Sequence, residues 1–147
     1  MPSLMLLTRF MLAWLVCFTL ASLAHSQFVL SGLSEQGIHI TLSQRWQMSL
    51  SDWWGLLPTY GVVIAVGLLI AFGVAAWLAR RFTGKRVMLY SLAGFAALLC
   101  IHLAMQPLMD ITLIAGARGT LGLLTQAATG LIGGWVFAMR LNQAQKP

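Results

Sequence analysis

The chain has 147 residues, of which 59% are hydrophobic and only 8% charged, with a net charge of +6. A soluble domain carries roughly 25% charged residues, and one this short has too little interior to hide the long apolar runs found here. A nucleic-acid partner is excluded as well, because the basic residues flank apolar stretches and form no face interleaved with aromatics.

Four apolar runs, at 4–24, 58–79, 87–106 and 120–139, cover more than half of the sequence. Each is close to the ~20 residues that cross ~30 Å of hydrocarbon. The expectation is an all-α integral membrane protein, a single membrane domain over 1–147. It would be a bundle of four transmembrane helices with a short external segment, 25–57, between helices 1 and 2. The lipid bilayer is then its first partner.

The first run admits two readings. Arg9, the apolar stretch 10–24 and the ending Ser22-Leu23-Ala24 fit a signal peptide with a small-residue cleavage site. Leu4, Met5, Leu6 and Leu7 extend the apolar run to the other side of Arg9, which favours an uncleaved signal anchor whose arginine snorkels to the headgroups.

In the external segment, Phe28, Val29, Leu30 and Leu33 can prolong the first helix, with Gly37 as its stop. From Ile38 to Leu50 apolar and polar residues alternate, which predicts an extended strand with one covered face. Ser51 or Asp52 then serves as a helix cap, Pro58 fits a first turn, and Trp53 and Trp54 suit an interfacial anchor.

The second and third runs are joined by Arg81-Phe82-Thr83-Gly84-Lys85-Arg86, a connection so short that the two helices must be antiparallel neighbours. The third and fourth are joined by the apolar, glycine-rich stretch 107–119, read as a loop dipping into the interface, where Asp110 and Arg118 can pair. The tail after Arg140 is short and polar.

Charge placement gives the orientation. If the spans alternate, Arg9, Arg80, Arg81, Lys85, Arg86, Arg140 and Lys146 share one side. Arg45 and Arg118 fall on the other, with all three acids, Glu35, Asp52 and Asp110. Lys and Arg resist translocation, so both termini are expected in the cytoplasm, with Arg80, Arg81, Lys85 and Arg86 dominating the bias. The composition fits a bacterial inner membrane, and 25–57 would then be periplasmic.

Two rows of residues stand out within the spans. Gly119, Gly122, Gln126, Gly130 and Gly133 recur at helical spacing on the fourth, and Gly130 with Gly134 makes a GxxxG. Small residues let helices approach closely in lipid, so this row is a packing interface, within the bundle or with a second subunit. A weaker row, Gly67, Ala71 and Ala75, is its candidate mate. On the third span Ser91, Gly94, His102, Gln106 and Asp110 share a face. His102, Gln106, Asp110 and Arg118 would form a polar cluster in the outer half of the membrane, with Gln126 sharing hydrogen bonds with His102 or Gln106.

No GxSxG, HExxH, P-loop or GxGxxG is present, and no two of the three acids lie closer than seventeen residues. No enzyme activity, metal site or cofactor is expected, and Cys17 and Cys100 read as packing residues. The leading expectation is a small accessory or structural subunit acting through helix–helix contacts with itself or a larger membrane complex. The alternative is a transport or conductance component using the outer polar cluster. A weaker one is a redox subunit with haem between His25 and His102.

Overall fold

The computed structural model describes the backbone of residues 2–82, 84–109 and 120–143, and the side chains of 4–82, 84–104 and 120–141. It contains α1 (Pro2–Glu35), α2 (Leu42–Leu56), a single π-helical turn (Leu57–Gly61), α3 (Val62–Arg81), α4 (Arg86–Met109) and α5 (Thr120–Gln143). Four apolar helical rods result, Leu4–Glu35, Leu42–Arg81, Arg86–Ala104 and Thr120–Leu141, all long enough to cross a membrane. The protein is an all-α membrane bundle of four helices.

The strand expected over 38–50 is not formed, and this corrects the sequence reading. Residues from Leu42 onward are helical, and the reason lies at Thr41. Its extended backbone (ψ 158°) starts a capping box: the Thr41 hydroxyl accepts from the Gln44 N–H at 3.3 Å, and the Gln44 side chain accepts from the Thr41 N–H at 2.8 Å. Leu42, Trp46, Leu50 and Trp54 then recur every four residues, so the same residues that alternate also satisfy a helical row. Ser51 and Asp52 lie inside the helix and cap nothing. Pro58 falls in the π turn rather than opening a separate span.

α1 does not end at residue 24. It runs to Glu35 and closes with Gly37 at φ +84°. Ile38 N–H reaches Leu33 O at 3.3 Å and Gly37 N–H reaches Ser34 O at 3.0 Å, the paired bonds of a Schellman stop. Glycine suits this position because an L side chain is strained there.

Leu42–Arg81 is one rod of 40 residues, about 60 Å at 1.5 Å per residue, twice the ~30 Å of hydrocarbon. Counting ~20 residues from Arg80 at the basic end brings the far edge of the hydrocarbon to Tyr60. α2 and the last part of α1 therefore project beyond it as an antiparallel hairpin.

Within the bundle α5 is central, packed on α4 along one side and on α1 along the other, while α3 lies against α4. The α4–α5 seam is built on glycine. A Cβ on Gly130 would collide with the Gly94 backbone and meet Leu98 Cδ2 at 2.9 Å, and one on Gly134 would meet Ser91 Cα at 2.9 Å. Gly133 faces α1 instead, where a Cβ would lie 2.8 Å from Cys17 Cβ. Gly67 abuts Ile101, so the Gly67–Ala71–Ala75 row lies beside α4 and is not the mate of the α5 glycines.

Candidate functional site

Four of the long helices meet at one buried polar junction. Gln126 of α5 is fully buried. Its Nε2 donates to Ala21 O of α1 at 3.0 Å, and its Oε1 accepts from the Tyr60 hydroxyl of the π turn at 3.2 Å. The same hydroxyl lies 3.2 Å from His102 Nε2 of α4, and the two rings meet edge to face. His102 Nδ1 is 2.7 Å from Leu98 O, an acceptor, so Nδ1 carries a proton. Below Gln126, the Thr129 hydroxyl donates to Gln126 O at 2.7 Å and lies 4.0 Å from Cys17 Sγ. With Nδ1 protonated, Nε2 is an acceptor, so the single Tyr60 proton is shared between Gln126 Oε1 and His102 Nε2. Ser22 Oγ, nearby on α1, is buried without a hydrogen-bond partner among the described residues.

The π turn positions Tyr60. Gly61 O, at the end of this turn, accepts the Trp14 indole N–H at 2.7 Å. Trp14 and Phe18 rest directly on Gly61, where their rings approach within 3.5 Å of a notional Cβ.

Toward the basic end the interior changes character. Phe72 stacks on Phe137 with centroids 4.6 Å apart, and Tyr90 packs edgewise against both at 5.6 and 5.1 Å. Phe10 closes the layer from α1 at 6.2 Å from Phe72. The polar junction thus sits at the hairpin end and an aromatic layer fills the basic end.

The hairpin is held by polar bonds. Asp52 accepts from Ser26 Oγ at 2.7 Å, Gln27 donates to Ser49 Oγ at 3.4 Å, and Arg45 donates to Gln27 Oε1 at 3.1 Å. Trp53 donates its indole N–H to Thr19 Oγ1 at 3.2 Å. An apolar row on α2 is open, with the polar Ser43, Gln47 and Ser51 exposed beside it: Leu42 is 78% exposed, Trp46 68%, Leu50 62% and Trp54 67%, whereas Ser49 is 5% exposed. Ser49 and Asp52 thus face α1, and the Leu42–Trp46–Leu50–Trp54 row faces out.

The structure thus places the residues singled out in the sequence as follows. Gly122, Gly130, Gly133 and Gly134 are buried within the bundle. His102 and Gln126 are brought together through Tyr60, which the sequence reading did not single out. Trp53 turns in against α1, whereas Trp54 points out. Arg80, Arg81, Lys85 and Arg86 are exposed around the short turn between α3 and α4. Gly119, Asp110, Arg118 and the Gln106 side chain lie outside the described residues, as does most of the 107–119 connection, although α4 itself continues through Pro107 to Met109.

Among the described residues, no three His, Cys, Asp or Glu side chains come together as a metal site. Both cysteines are free, Cys17 buried and Cys100 exposed. Comparison with family models, curated proteins and solved structures finds no match to this chain.

Proposed function

We propose that this chain is a non-catalytic accessory or structural subunit of a bacterial inner membrane, acting through helix–helix contact with a protein partner. The observation that carries the reading is the open apolar row of α2. Lipid covers the lower part of such a row, but Trp46 and Leu42 stand roughly 21 and roughly 27 Å beyond the hydrocarbon at about 1.5 Å per residue. An apolar row in water marks an interaction surface, and large aromatic and leucine side chains every four residues suit the ridge of a partner helix. Of the glycine row, read from the sequence as a packing interface within the bundle or with a second subunit, Gly130, Gly133 and Gly134 lie against α4 and α1 of the same chain.

Under this reading the basic end is cytoplasmic, in keeping with the charge bias, and the hairpin projects on the other side. The first helix stays uncleaved, since Ala13, Cys17, Phe18 and Ala21 fill the core and losing them would open it. The test is the size of the assembly extracted gently from native membranes. Trp46→Glu should reduce it to that of the lone chain, and an unchanged size would dispose of the proposal.

The buried junction favours a second reading, a conductance role for His102, Tyr60 and Gln126. The aromatic layer beneath them interrupts any polar path toward the basic end. If proteoliposomes carrying the protein pass protons, and His102→Ala stops them, this second reading displaces the first. A haem on His102 would have to displace Tyr60 from Nε2, and an absorbance spectrum without a Soret band ends that idea.

A further inference from the structure

Between α3 and α4 runs a groove of about 560 Å³, entirely apolar in its walls apart from Cys100. Such a volume lies within the ~300–1,000 Å³ of small-molecule sites. Both walls carry small side chains, yet the helices do not close over them. The groove extends from Leu78 to Gly67 on α3, eleven residues or about 16 Å, which matches one leaflet of a ~30 Å hydrocarbon core.

The position of the basic residues completes the site. Leu78 and Leu89 line the groove at the basic end. Arg81 follows Leu78 by three positions, and Arg86 and Lys85 precede Leu89 by three and four, so all three continue the lining rows past the end of the groove. They are exposed. We infer that this groove is a binding site for an anionic phospholipid, with an acyl chain along the α3–α4 walls and the headgroup on Arg81, Lys85 and Arg86. Basic pockets between membrane helices recognise anionic headgroups in this way, and walls without hydrogen-bonding groups leave a water-soluble ligand nothing to hold.

Cys100 in the groove wall reports occupancy in the intact chain, because Cys17 is buried and shielded. The alkylation rate of Cys100 by N-ethylmaleimide is followed in detergent while phosphatidylglycerol or phosphatidylcholine is added. Each basic residue favours an anionic headgroup about fivefold. Phosphatidylglycerol should therefore protect at a concentration at least roughly tenfold lower than phosphatidylcholine, two of the three groups sufficing. Arg81→Gln/Lys85→Gln/Arg86→Gln should erase that difference. Ala96→Phe, which fills the groove from an exposed position, should abolish retention of phosphatidylglycerol in native mass spectra while leaving the charges intact. Equal protection by the two lipids, no protection by either, or undiminished retention by the Ala96→Phe protein would each overturn the inference.

Discussion

Along the α4–α5 seam, Gly94, Gly130 and Gly134 bring two backbones into contact, and the polar groups nearby are sealed at the Gln126 junction. Along the α1–α2 seam, Ser26, Gln27, Ser49 and Asp52 face inward, and Leu42, Trp46, Leu50 and Trp54 face out. The first arrangement is what lipid favours, because close contact, not apolar burial, drives helices together there. The second leaves an apolar row in water, whose burial against a partner is favourable. On the proposed reading, one seam carries the fold and the other carries the capacity to bind.

The largest expected effect lies on the fold side of that contrast. Gly134→Leu must push α5 away from Tyr90 and Ser91 of α4, so we expect a loss of about 3 kcal/mol, read from unfolding in mixed micelles. Trp46→Gln should leave that stability within about 0.5 kcal/mol, as for an exposed site, while abolishing assembly in native membranes. A Gly134→Leu protein of normal stability that fails to assemble would reverse the assignment of the two seams.

The junction should yield a smaller effect. Hydrogen bonds between membrane helices average about 0.6 kcal/mol and reach about 1.7. A cycle of Tyr60→Phe and Gln126→Leu should give a coupling near that upper value, since one hydroxyl links three helices. A coupling indistinguishable from zero would mean the Tyr60–Gln126 contact at 3.2 Å carries no stability, and that bond would lose its role as a pin.

The contrast also explains what could be read in advance. The four spans were legible because a long uncharged run has one stable destination in a membrane chain. The glycine row was legible as a row, yet its mate was not, since Gly94 shows itself as the counterpart only once α4 and α5 are placed side by side. Tyr60 left no local signal, because its importance comes from three other helices and a π turn. The hairpin was misread for a different reason. Residues 38–50 satisfy period two and a four-residue row at once, and the deciding mark was the Thr41–Gln44 pair, a capping box hidden among alternating residues.

That pair offers the last and mildest perturbation. Thr41→Ala removes the hydroxyl that accepts from Gln44 N–H, at a cost of about 1 kcal/mol for a typical N-cap. α2 has two other supports, its continuity with α3 and its polar bonds to α1. Only the first turn should therefore fray, seen as faster amide exchange at residues 42–45 with residues beyond Ser49 unchanged. Exchange that rises along the whole of α2 would mean the cap alone holds the helix against the extended alternative. The apolar row would then exist as a helical ridge only when capped, and assembly would fail along with the cap even though Trp46 is still present.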